Sequence, residues 1–337
     1  MPAPTRPGAD PLTDPDDDPS LRQKSDDEDT GEIPVYRDDE DTGEIPIYRE
    51  EPRPAPPPVV SVDATGLSHR GRVRLNNEDH YLVSRVGRSM EILVTNLPDG
   101  ELPPRVDDCG YVMMVADGMG GAPGGEVASR LAISTLVRIV LDVPDWIMRP
   151  DAGSAEEVLN RAIEYYRQVD AKLTKRGADD PSLTGMGTTM TVAYSAGTHL
   201  FIAHVGDSRA YLCRRGSLQQ LTRDHNSAQL LADAGIIARE GKFTDRLRHV
   251  LTNVLGATRA PASVEVHRLR LIDGDRIMIC TDGLTEMVDD AAIAELLERT
   301  VQPEQACRSL VDLALEKGGH DNITVVMARY TVTGARA

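Results

Sequence analysis

Four aspartates constrain this chain more than any other feature. Each is flanked by glycine or a turn residue, and each sits where an apolar run begins or ends. Tyr111 to Ala116 is a short apolar run that stops at Asp117 and Gly118. Val205 and Gly206 lead into Asp207, and a new run starts at Arg209. Asp275 to Cys280 closes on Thr281, Asp282 and Gly283, while Gly318, Gly319 and His320 lead through Asp321 into the last run. A lone Asp-Gly at a strand end is ordinary turn chemistry. Several together are different: if the sheets bring them close, the carboxylates repel and cannot all ionise without a cation. Oxygen-only donor sets suit hard divalent ions such as Mg²⁺ or Mn²⁺ rather than zinc or copper.

The apolar pattern around these aspartates sets the fold class. Strand-like runs cover 62–67, 81–86, 111–116, 188–194, 200–205, 209–214, 218–221, 264–271, 275–280 and 322–330. Helical patterns cover 126–141, a stretch opening at a Ser154/Glu157 capping box and running to Leu173, and two more at 290–299 and 303–317. Strands recur while the long helices come in pairs. That predicts an α+β fold with antiparallel sheets covered by helix pairs rather than a doubly wound parallel sheet. Residues 222–256 are polar and poorly periodic, so they are expected to form an inserted lobe. Residues 87–108, with Pro98, Pro103 and Pro104, read as a long surface connection.

Charge is distributed unevenly. The 337 residues carry a formal net charge of −17, yet residues 1–58 alone hold 17 Asp+Glu against 6 Lys+Arg, with 13 of the 22 prolines. Such a segment cannot bury enough surface to offset chain entropy, so 1–60 is expected to be a disordered tail and 61–331 the folded domain. The tail holds a tandem 12-residue repeat, Asp26 to Arg37 and Asp38 to Arg49, differing only at Val35 and Ile47. It reads either as a duplicated solvated spacer or as a bivalent docking tag. In the second reading, phosphorylation of Thr30 and Thr42 would create a motif for a phosphothreonine reader. The body is mildly acidic, which argues against nucleic acid as a partner. Cys109, Cys213, Cys280 and Cys307 lack zinc or redox spacing. No apolar run is long enough to span a bilayer, and Met1 to Asp18 is acidic rather than signal-like. The expected class is a cytoplasmic monomer with free thiols.

Taken in order, Arg74 to Asp79 (RLNNED), Asp117 to Gly121 (DGMGG), Gly185 to Thr189 (GMGTT), Val205 to Arg209 (VGDSR), Thr281 to Leu284 (TDGL) and Gly319 to Asn322 (GHDN) occur with a familiar spacing. The chain resembles bacterial metal-dependent Ser/Thr protein phosphatases of the PPM (type 2C) family over about 62–330. The resemblance implies a four-layer αββα sandwich, two antiparallel sheets facing each other with helix pairs outside and metals at one sheet edge. It implies two Mn²⁺ or Mg²⁺ ions bridged by Asp117, with Asp282 and Asp321 completing the first site and the Gly118 carbonyl ligating the second. Asp79 would hold a metal-bound water, Asp207 with Asp282 matches a third-ion site, and Arg74 would grip the substrate phosphate. The implied reaction is direct attack of a metal-bridging hydroxide on phosphoserine or phosphothreonine of proteins, with no phosphoenzyme. Partner Ser/Thr kinases and their substrates follow from it. Residues 222–256 match the family's flap.

Two departures stand out. Met119 occupies a position where some members carry a histidine proposed as general acid, and Ala122-Pro123 replace a common histidine after the double glycine. Altered loop packing is expected at the second. Ser208 lacks a nucleophile elbow and is read as structural; His69, His204, His249 and His320 are also read as structural. An alternative is a phosphoprotein-binding pseudo-phosphatase or scaffold acting through its acidic tail. It would predict a missing ligand, and none is missing. Deleting residues 1–58 is expected to leave the melting temperature and small-substrate turnover unchanged; a large drop in melting temperature would show that the tail packs on the body.

Overall fold

The computed structural model describes residues 59–98, 100–120, 124–142, 155–238, 242–257 and 260–334. The tail repeats, the 121–123 substitution site and the Ser154 cap lie outside them. The elements are β1 (Val59–His69), β2 (Asp79–Glu91), β3 (Arg105–Met119), α1 (Gly124–Leu141), α2 (Ala155–Asp179), β4 (Gly187–Thr188), β5 (Met190–Ala196), β6 (His199–Val205), β7 (Arg209–Arg214), β8 (Ser217–Gln220), α3 (Ser227–Asp233), α4 (Lys242–Arg248), β9 (Glu265–Arg270), β10 (Arg276–Cys280), α5 (Asp282–Thr285), α6 (Asp290–Arg299), α7 (Pro303–Glu316) and β11 (Ile323–Thr333).

Two antiparallel sheets form, in the orders β1-β11-β10-β7-β8 and β2-β3-β5-β6-β9, with β4 on the end of β3. Alternation along the strands decides the layering. Met113, Val115, Ile202, Ile277, Ile279, Val326 and Ala328 share one cluster between the sheets. Their neighbours face outwards. Met114, Ala116, Val192 and Ala203 pack on Ala128, Ala132, Leu136, Tyr166 and Val169 of α1 and α2. Met278, Cys280, Val325 and Met327 pack on Ile293, Leu297, Ala306, Leu310 and Ala314 of α6 and α7. Each fully buried Val, Leu, Ile or Met side chain among them contributes roughly 1.5–3 kcal/mol relative to exposure. The result is the expected αββα arrangement. Among the described residues no helix is long and apolar enough to cross a membrane, and all four cysteines are free.

Three local expectations gain detail. The two ends of the 87–108 connection are ladder: β2 and β3 pair from Gly87 with Cys109 out to Glu91 with Arg105. Gly87 to Glu91 are all exposed, Met90 included, so this outer part carries no buried-face alternation to read. Arg88 donates to its cross-strand partner Asp108 at 3.4 Å. The 222–256 lobe contains the short helices α3 and α4. Asn226 caps the first, its side chain accepting the Gln229 N–H at 2.9 Å. A single helical turn, α5, follows Thr281 where only a turn was expected.

Candidate metal centre

Strand pairing places the first two carboxylates side by side. In the β2–β3 register Asp79 lies directly opposite Asp117, a position where like charges destabilise a sheet. The structure fixes both. The Asp117 N–H donates to Thr189 Oγ1 at 3.0 Å, and the Asp117 carbonyl accepts from Thr188 Oγ1 at 2.7 Å and from the Thr189 N–H at 2.9 Å. Asp79 Oδ2 accepts from Thr281 Oγ1 at 2.9 Å and Thr324 Oγ1 at 2.7 Å. Thr324 lies on β11 of the other sheet and Thr281 directly follows β10 of that sheet, so Asp79 also ties the two sheets at this edge.

The remaining acids come from turns at the same edge. Asp207 lies between β6 and β7, Asp282 opens α5, and Asp321 sits between α7 and β11. With Asp117 they line one cavity of about 570 Å³, together with Arg74, Gly118, Met119 and His249. Asp79 is buried beside them at 5% exposure. Two glycines allow the close approach. A Cβ on Gly118 would collide with the Gly125 carbonyl, and one on Gly283 with the Asn322 carbonyl. Arg74 projects from the 70–78 loop and donates to Asp321 Oδ2 at 2.5 Å, its side chain 58% exposed.

Burial sets the electrostatics. It raises Asp79 to about 7; hydrogen bonds from Thr324 and Thr281 oppose the shift, and the nearby Asp282 and Asp321 add to it. Asp282 also rises to about 7 through burial, with Glu286 and Asp321 contributing. Asp117 and Asp207 are pushed well above the carboxylate range by burial and by neighbouring carboxylates. Asp79 Oδ1 and Asp282 Oδ1 are buried without a hydrogen-bond partner, and an orphaned buried acceptor is costly. Divalent cations held by oxygen donors would relieve both the repulsion and the orphaned oxygens, so the donor set fits Mg²⁺ or Mn²⁺.

Comparison with known proteins agrees with this geometry. A family model described as protein phosphatase 2C matches residues 104–317. The Ser/Thr protein phosphatase PstP of Mycobacterium tuberculosis is 36% identical over 262 residues, 77% of this chain and 43% of that protein. The chain thus spans under half the length of that relative. The Ser/Thr phosphatase stp of Listeria monocytogenes is 30% identical over 264 residues, 78% of this chain and 94% of that protein. The chain belongs to the protein phosphatase 2C family. A crystal structure of the PstP catalytic domain in complex with two manganese ions is 30% identical, with a TM-score of 0.62 over 81% of this chain and 100% of that one. The paired antiparallel sheets of this phosphatase 2C chain are those of its structural neighbours.

Several residues at this phosphatase 2C site escaped the sequence reading. Asn322 pins the loop that carries Arg74: its Nδ2 donates to the Arg70 and Asn76 carbonyls at 2.9 and 2.8 Å, and its Oδ1 accepts the Glu78 N–H at 2.7 Å. Glu286, one turn after Asp282, is raised by burial and contacts His249 Nδ1 at 2.8 Å. His249 lines the same cavity as the aspartates. The spacing of Glu286 from Asp282 on a short helix was the available signal. Ser208 is buried and shares a 2.9 Å hydrogen bond with Thr189, in keeping with a structural role.

The raised carboxyls make a signed prediction. A carboxyl at 3.8 when unfolded and about 7 when folded contributes stability below pH 3.8 that is lost as pH rises through 7. In EDTA, Asp282→Asn should therefore melt above the native protein at pH 8, with the gap closing towards pH 4. Calorimetric scans showing no pH-dependent gap would contradict the cluster's electrostatics.

Proposed function

We propose that this chain hydrolyses phosphoserine and phosphothreonine on proteins, with two divalent cations, Mn²⁺ or Mg²⁺, held by the acidic cluster. One observation carries the reading: Asp117, Asp207, Asp282 and Asp321 line a single cavity, and the buried Asp79 and Asp282 each keep an oxygen with no hydrogen-bond partner. Asp117 would bridge the ions, Asp282 and Asp321 would complete one site, and the Gly118 carbonyl would serve the other. Asp79 would hold bound water from behind, and Asp207 with Asp282 would take a third ion. When bound, the cations would acidify water and offset phosphate charge. The solved complex of the serine/threonine protein phosphatase PstP catalytic domain with two manganese ions supports both the ion count and the substrate class.

The chain's own groups do the rest. Hydrogen bonds with Thr188 and Thr189 fix the Asp117 main chain, and those from Thr281 and Thr324 fix the Asp79 carboxylate, before substrate arrives, which lowers the reorganisation needed there. The Arg74 guanidinium is exposed beside the cavity and offers a fork of donors that suits a phosphate. Asn322 holds the loop that presents it. Met119 cannot donate a proton, so leaving-group protonation falls to another group. Cytoplasmic proteins phosphorylated by Ser/Thr kinases are the substrates this reading implies.

Hydrolysis of para-nitrophenyl phosphate and of a phosphothreonine peptide should require added Mn²⁺ or Mg²⁺ and stop in EDTA; turnover that survives EDTA would reject the reading. Arg74→Ala should raise KM for phosphate esters by about 10- to 100-fold, the value of a hydrogen bond to a charged group, with metal affinity retained. Weakened metal binding at an unchanged KM would reject the assigned role.

A further inference from the structure

Beside the acidic cluster lie polar groups that the proposed reaction does not use: His204 on β6, His225 at the entry to the 222–256 lobe, and Glu265 on β9. One ligating atom from each lies within 4.8 Å of the others, a spacing that invites a cation. Hydrogen bonding argues against one. Asn253 Oδ1 accepts the Ser263 N–H at 3.0 Å and its Nδ2 donates to the Ser263 carbonyl at 2.6 Å, which fixes the direction of the amide. The same Nδ2 donates to His225 Nδ1 at 2.9 Å, and the Gly206 N–H donates to that nitrogen at 3.1 Å. A nitrogen that accepts carries no proton, so the His225 proton sits on Nε2, 3.3 Å from Glu265 Oε2. His204 Nε2 lies 3.1 Å from the Arg223 carbonyl and must hold its proton there, while the Thr191 hydroxyl lies 2.8 Å from Nδ1. Neither Nε2 has a lone pair to give a metal.

The same bonds make a clamp. Asp207 is bracketed by contacts to the root of the lobe. Before it, Gly206 places its N–H on the His225 ring and its carbonyl on the His225 N–H at 2.7 Å. After it, Arg209 donates twice to Asp224, at 2.8 and 2.7 Å. His225 also reaches the far stem of the lobe, where its carbonyl accepts the Thr252 N–H at 2.8 Å and its ring accepts from Asn253. Glu265 steadies the imidazole. Burial opposes its charge, but hydrogen bonds from His225 and His267 override this and hold it down at about 2. We propose that His225 is a positioning residue: its unprotonated Nδ1 fixes the Gly206–Asp207 turn and joins it to both stems of the lobe, so that cation binding at Asp207 depends on how the lobe is seated. The inference rests on the reading of Asp207 as a cation ligand.

Direct Mn²⁺ binding to the full chain tests it, read from the free-ion electron paramagnetic resonance signal without substrate. Partners behind a metal ligand typically change affinity about 10- to 100-fold when removed. His225→Leu should weaken the same class of Mn²⁺ sites that Asp207→Asn weakens, by about that factor. His225→Asn, whose Oδ1 can stand where Nδ1 stood, should recover most of it. Asn253→Asp provides a route that leaves His225 in place. Its carboxylate would draw the ring proton to Nδ1, deprive the Gly206 N–H of its acceptor, and weaken the same sites. Native Mn²⁺ affinity in both His225→Leu and Asn253→Asp would overturn the coupling, as would a His225→Asn variant no better than leucine. A native protein that bound no Mn²⁺ would instead overturn the proposed function, and the coupling with it.

Discussion

Negative charge packed into a low-dielectric edge is what the rest of this structure answers to. Asp79 and Asp117 are neighbours across two strands, and Asp207, Asp282 and Asp321 join them from three separate turns. A protein that only needed a stable sheet edge would not place carboxylates there, since each must be desolvated next to others of the same sign. The arrangement makes sense as one that trades folding stability for a site ready to bind cations. Threonine hydroxyls and main-chain N–H groups hold the acids in place without neutralising them.

The fold supplies this edge cheaply. Two sheets built on strict alternation bury both faces, one against each other and one against helices, and the packing fixes where every strand stops. The turns at one end then fall close together whatever their separation along the chain. Hydrogen bonds between remote segments set the fine geometry. Asn322 reaches back to the 70–78 loop, Thr324 reaches Asp79, and His225 reaches Gly206. Contacts of this kind tie the cavity-lining Arg74, the cluster and the lobe to one frame.

Much of this was legible in the chain itself. The unbroken apolar runs Tyr111 to Ala116 and Ile277 to Cys280 announced two-sided burial, and the glycine-flanked aspartates announced an acidic edge. The exposed ribbon from Gly87 to Glu91 escaped because both its faces meet water, so no periodicity marks it. Helices α3 and α4, of seven residues each, are too short for a periodic pattern to declare them. The work of Asn322 and His225 was hidden for another reason: a side chain that acts on a segment far away in sequence leaves no local trace, and spacing alone gave His225, His204 and Glu265 no reason to meet.

The central claim is that these carboxylates hold divalent cations. The most direct measurement is anomalous diffraction from crystals of this protein grown with Mn²⁺. The account predicts peaks within the cavity, bonded to Asp117, Asp282 and Asp321. A well-ordered cavity with no anomalous peak there, or manganese bound only elsewhere on the surface, would contradict it.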